Sequence, residues 1–173
     1  MKKWKCNYAI PFSSMHKYSR KDSINMNEYA TPLKQHYNGF KSTNGEMLPA
    51  FIIWDSVKQD YREIRPGLND EKIKLPEDFG DKWSDDLDKN DILQIEKYFK
   101  NFSHIKNKFG FLSFKIGKSV LNLKLSDRKE GIEFSCPRNS LIFSISNKIF
   151  DDLLIGNFMK VKLINVPSLY PDF

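Results

Sequence analysis

The sequence predicts an α+β chain of short antiparallel strands with two principal helices. Three observations carry that expectation. Apolar residues recur at steps of three and four over 92–105 and again over 141–154, the helical period. Around these stretches the period falls to two, at 109–114, 120–125 and 158–166, as in half-buried strands. Turn signals at Gly117-Lys118, Gly131 and Pro137 punctuate the second half.

The elements follow in order. Residues 8–12 (Tyr-Ala-Ile-Pro-Phe) are a short apolar run, read as a strand that ends in Ser13-Ser14-Met15-His16. A polar loop comes next, and Asp22 or Ser23 can cap a short helix over 24–29. Pro32 interrupts the chain, residues 33–37 can make one more turn before Gly39, and Asn44-Gly45 is a turn signal. Residues 49–54 (Pro-Ala-Phe-Ile-Ile-Trp) are a strand candidate with 61–64 as hairpin partner. Residues 69–91 are polar and acidic, with Pro76, Gly80 and Asp85-Asp86, and read as a linker or loop. The chain therefore divides into an N-terminal strand, polar loop and hairpin segment over 1–68, an acidic linker or loop over 69–91, and a compact α+β unit over 92–173.

Within that unit the first principal helix spans about 90–106. Ile92, Ile95, Phe99, Phe102 and Ile105 share one face, Asp88 or Asn90 is the cap, and Glu96 and Lys100 sit at i and i+4. Strands over 109–114, 120–125 and 132–136 follow, the first two joined at Gly117-Lys118. The second helix covers 141–154, with Asn139 or Ser140 as cap and Gly156 at its end, and 158–166 is a last strand.

Composition bounds the function. A chain of 173 residues with 14 Phe can fill one real core or two small ones. The net charge of +6 comes almost entirely from Lys, alongside many Asn and Ile, so a solvated Lys-rich surface is the ordinary explanation and nucleic acid the lesser one. Two lone cysteines, Cys6 and Cys136, fit reduced packed thiols. No apolar run reaches membrane-spanning length and the N-terminus lacks a signal-peptide core, so a cytoplasmic location is expected, with no membrane partner. Phosphate loops, the Rossmann glycine pattern and the Gly-x-Ser-x-Gly elbow are missing, which removes support for nucleotide-dependent phosphoryl transfer and Rossmann oxidoreduction.

Four groups of residues invite a chemical reading. His16, just past a strand end, stands where a metal ligand or general base is often placed, with Ser13, Ser14, Tyr18 and Asp22 as hydrogen-bonding support. The opposing reading is a loop histidine bonded to backbone. His36 and His104 lie far off with no ligand spacing, and one imidazole cannot hold a catalytic cation. Around Tyr18, the cations Lys17, Arg20 and Lys21 can hold a phosphate or carboxylate, Arg20 by a bidentate grip; alternatively they are solvated partners of Asp22 and Glu28. Asp85, Asp86, Asp88 and Asp91 are acidic enough for a hard cation, but without an interposed Gly they read better as a favourable charge bias at the helix N-terminus. Lysines 97, 100, 106, 108, 115 and 118, interleaved with aromatics, suggest base stacking over a lysine-rich surface; at helical and strand spacing those aromatics read as core.

The stretch Ile10-Pro11-Phe12-Ser13-Ser14-Met15-His16-Lys17-Tyr18, with Arg20, Asp22-Ser23 and 28–33, resembles the late part of a metallo-β-lactamase-fold hydrolase. Phe51-Ile52 and 151–160 extend the likeness to about a third of the chain, the latter resembling a family-specific C-terminal extension. The resemblance implies that His16 matches the last metal-binding histidine, that Arg20 orients an anionic group and that Asp22 positions the loop. Lys17 and Tyr18 join them as substrate-binding candidates. The family's upstream His-x-His-x-Asp-His segment and its bridging aspartate are absent, so no dinuclear centre assembles from this chain alone. The expectation is therefore an accessory, non-catalytic domain serving substrate placement or assembly. It binds zinc, iron or manganese only with a partner that supplies further ligands, and a protein partner or self-association is expected. The alternative is a non-enzymatic protein- or nucleic-acid-binding module with a basic surface.

Overall fold

The computed structural model describes residues 7–11, 17–30, 35, 45–64, 72–100, 102–156 and 158–167. The chain divides into two units, 1–19 with 24–73 and 20–23 with 74–173, and each is taken by itself.

In the first unit β1 (Tyr8–Ala9) pairs parallel with β2 (Glu46–Met47). The strand expected over 8–12 is cut short at Pro11, which has no N–H to give a ladder. β3 (Ile52–Asp55) and β4 (Asp60–Glu63) form the expected antiparallel hairpin, with Trp54 opposite Tyr61. Its turn is closed by the Asp55 carboxylate, which accepts from the N–H groups of Val57 and Lys58 at 2.9 and 3.0 Å, a local pairing that short acidic side chains favour. The Trp54 ring lies 4.8 Å from that of Tyr8. Residues Ile24–Glu28 wind as a 3-10 turn, where the sequence predicts a short helix.

The second unit holds a four-stranded sheet made of β5 (Phe111–Ile116), β6 (Ser119–Lys124), β7 (Gly131–Ser135) and β8 (Lys160–Ile164), in the order β6-β5-β7-β8. Four helices accompany it among the described residues: α1 (Lys89–Phe99), α2 (Ser103–Lys108), α3 (Arg138–Asn147) and α4 (Asp152–Ile155). Alternate residues Leu112, Phe114 and Ile116 of β5 are buried, in register with Ile132 and Phe134 of β7 and with Leu121 and Leu123 of β6. They form one core with Ile95 and Phe99 of α1 and Leu141 and Ile145 of α3. The intervening positions on the other face are mainly polar, among them the exposed Lys115, Asn122, Lys160 and Lys162. The result is an α+β unit with one apolar sheet face under helices.

Two pairs of this sheet are antiparallel, as expected, but β5 and β7 run parallel. The reason is the path of the loop 125–130, which leaves β6 beside the start of β5, passes that same end at Gly110 and enters β7 on the other side. Gly110 makes that passage possible. Its carbonyl accepts from the N–H groups of Leu125 and Ser126, and its own N–H donates to the Glu130 carbonyl at 2.7 Å. A Cβ there would lie 1.8 Å from the Arg128 carbonyl oxygen, so only glycine fits. Gly117, at φ +57°, opens the two-residue turn predicted at Gly117-Lys118.

The helices are shorter than their apolar periods predict. The stretch expected over 90–106 breaks after Phe99, because Phe102 leaves helical geometry (φ −89°, ψ 83°) and packs its ring against Tyr98 and Phe99, at 5.1 and 5.9 Å between centroids. The stretch expected over 141–154 stops where Lys148 turns left-handed, at φ 60°, and its N–H caps the carbonyls of Ser144 and Ile145. From Lys74 onward, the region 69–91 read from sequence as a linker or loop belongs to the second unit. Asp81 and Asp91 are buried, Leu87 packs on the core, and Lys89 begins α1.

Candidate functional site

Of the residues singled out by sequence, His16 lies outside the described residues, as do Ser13 and Ser14. Lys17 is exposed. The backbone N–H of Tyr18 donates to Asn27 Oδ1, and its carbonyl accepts from Asn27 Nδ2, both at 2.8 Å. One amide side chain thus satisfies both backbone groups of Tyr18.

Arg20 and Asp22 belong to the second unit, and there they are occupied by its own groups. The Arg20 guanidinium donates from Nε and Nη2 to the two oxygens of Asp22, at 2.8 and 3.1 Å. It also donates from Nη2 to Asp81 Oδ2 at 2.6 Å. Its Cζ stands 4.0 Å from the Phe158 ring centroid and 5.4 Å from that of Phe79. The Trp83 indole N–H donates to Asp22 at 2.9 Å. Asp81 is fully buried and also accepts from the N–H and hydroxyl of Ser140, at 2.9 and 2.6 Å, in the first turn of α3. Arg20 thus grips Asp22 with two bonds, the partner named by the alternative reading, and Asp81 with one. A buried charge needs such partners, and these arrive from 61 residues away in sequence. Sequence reasoning missed Asp81 and Trp83; the available signal was an aromatic flanking each side of Gly80-Asp81 within a stretch otherwise read as linker.

The acidic cluster at 85–91 resolves into helix capping, the favourable N-terminal bias expected of it. Asp88 Oδ1 accepts from the N–H groups of Asn90 and Asp91, and Asp91 returns a bond to the Asp88 N–H. Arg138, at the start of α3, bonds Asp88 and Asp91 together and so ties α3 to the N-terminus of α1. The Asp91 N–H, foremost among these groups, holds the Asp88 carboxyl below its ordinary range. Asp86 accepts from the Lys118 N–H at the β5–β6 turn. Among the described residues no group of three His, Cys, Asp or Glu side chains is placed to hold a metal ion. Nor, among them, is any helix long and apolar enough to cross a membrane. Cys136 is a free buried thiol, as the sequence reading expects of it, and burial pushes its pKa up to about 12.

One large concavity is lined by residues of the second unit alone. It has a volume of about 1490 Å³. Its buried lining comes from the sheet face at Leu112, Ile132 and Phe134 and from Phe99, Phe109 and Ile145. Half-buried Tyr98, Phe102 and Phe150 add further aromatic surface. The exposed lining carries Lys97, His104, Lys108 and Lys148, against a single carboxylate, Asp151. Of the aromatics weighed as base stackers and read as core, Phe99, Phe109 and Phe114 are buried in the core, Tyr98 packs half-buried against it and Phe111 is half-buried.

Ser146, His104 and Asp151 border this cavity, but no hydrogen bond among the described residues joins them into a relay. The Ser146 hydroxyl donates to Gln94 Oε1 at 3.2 Å, and the His104 ring meets Phe102 edge-on with centroids 5.6 Å apart. A nucleophile without an adjacent base is not activated. What this surface can do chemically is desolvate an apolar group and attract negative charge beside it.

No protein-family model, no characterised protein and no solved structure matches the chain.

Proposed function

We propose that this protein is a non-enzymatic binding module whose working surface is the apolar cavity of the 20–23/74–173 unit. The observation that carries the reading is the cavity itself. Its volume of about 1490 Å³ exceeds the roughly 300–1,000 Å³ of ordinary ligand pockets, and its buried lining is aliphatic and aromatic. Tyr98, Phe102, Phe150, Leu154 and Val161 keep apolar surface open to water in this lining, and a partner that covers it gains about 25 cal/mol per Å² of apolar surface removed from solvent. The lysines along its exposed lining favour an occupant that carries negative charge. An apolar protein surface suits this lining, because aliphatic side chains such as Leu154 and Val161 share its open part with the aromatics.

The test uses anilinonaphthalene sulfonate, an apolar ring system bearing one anion. The full chain is expected to bind it saturably, with enhanced fluorescence. Ser146→Trp, which adds bulk at an exposed lining position, should weaken that binding at least tenfold while the circular dichroism spectrum is unchanged. Equal binding by the variant, or no saturable binding by the parent, would overturn the proposal.

A further inference from the structure

We infer that the cavity's occupant is an amphipathic α-helix with acidic flanks, presented by a protein partner. This rests on the binding-module reading and names the partner's chemistry. Three observations point to it. The first is size. The cavity's volume of about 1490 Å³ exceeds the roughly 300–1,000 Å³ of ordinary small-ligand pockets, so an element of a macromolecule, such as one face of a helix, suits it better than a small molecule. A single acyl chain would leave much of that space empty.

The second is charge. Lys97 follows from α1, Lys108 from the end of α2 and Lys148 from the cap of α3, so the positive groups come from separate elements rather than from one head-group pocket. Several acids spaced along a helix flank meet such an arrangement; one carboxylate or phosphate does not. Among the described residues no ion pair engages Lys97 or Lys148.

The third is exposed apolar lining. Leu154 on α4 and Val161 on β8 both line the cavity and are 47 and 40% exposed. Together with half-buried Tyr98, Phe102 and Phe150 they offer an apolar surface that the face of a partner helix covers. Such a groove takes its anchors at i, i+3 or i+4, and i+7 of the incoming helix.

Random 16-residue peptides displayed on phage would be selected against the immobilised full chain. The expected outcome is enrichment of sequences with apolar residues at helical spacing and Glu or Asp on the flanks. A synthetic representative should become helical on binding. It should bind Lys97→Glu/Lys148→Asn at least tenfold more weakly, and regain affinity for that variant when its acidic residues are changed to Lys. Ser146→Trp should abolish binding of both peptides. The inference is overturned by a selection without enrichment, by winners lacking helical period or acidic flanks, or by affinities indifferent to the charge exchange. Saturable binding of dodecanoate in the cavity without peptide enrichment assigns the site to small amphiphiles and overturns it as well. Dye binding that Ser146→Trp blocks, with no peptide selected, sinks this inference and leaves the module standing; failure of both assays sinks both.

Discussion

Arg20 and Asp22 carry chemistry that the sequence makes visible, but the use made of it depends on Asp81. A guanidinium with its side chain 13% exposed, held between the rings of Phe79 and Phe158, needs its charge matched. Asp81, 0% exposed, supplies that match and also bonds the first turn of α3 through Ser140. Breaking such a pair from one side leaves a buried charge uncompensated. Asp81→Ala is therefore expected to destabilise the fold by about 3 kcal/mol, measured by urea unfolding. Arg20→Lys keeps the charge but loses the two-pronged contact with Asp22, and should fall between parent and Asp81→Ala. At Cys136, burial raises the thiol's pKa from its ordinary 9.0 to about 12, so the folded state favours the protonated form. That contribution is fully present below pH 9 and is lost as pH rises from 9 toward 12. In a Cys6→Ser background, iodoacetamide at pH 8 should modify Cys136 far more slowly in the folded protein than in urea.

Helix and strand existence was legible from periodicity, while the ends and the strand order were not. The caps show the difference. Asp88, followed at the third position by Asp91, marks the start of α1 in the sequence and caps it in the structure. The end of α1 was invisible, because the aromatic packing of Phe102 overrides a continuing apolar period. Since the folded state lowers the Asp88 pKa, its contribution is present above the ordinary carboxylate range and is lost as pH falls through the lowered value. Asp88→Asn should flatten the fall in thermal stability seen on acidification from pH 6 to pH 3, roughly the range across which carboxylates titrate. The parallel β5–β7 pair depends on the loop that passes Gly110. Gly110→Ala forces a methyl onto the Arg128 carbonyl and should cost about 2 kcal/mol or more, read by chemical denaturation.

At the scale of the whole molecule, the expected placement beside a metal-dependent hydrolase stands as a proposal centred on His16. Purified alone, the chain is expected to retain no stoichiometric zinc, iron or manganese by elemental analysis. A His16-dependent gain on mixing with a metal-ligating partner chain is the outcome that placement requires. The sequence by itself determined the α+β class, the β3–β4 and β5–β6 hairpins, a start for α1 at Asp88 or Asn90, and the core placement of Phe99, Phe109 and Phe114. Each of these follows from residues within a few positions of one another, where periodicity and turn chemistry act. Only the tertiary structure decided that the acidic stretch before α1 is folded into a unit, that Arg20 meets Asp81, and that aromatic and cationic side chains from three helices and the sheet enclose one cavity. Burial and charge pairing act through space, and contacts between residues some 60 positions apart leave no local pattern to read.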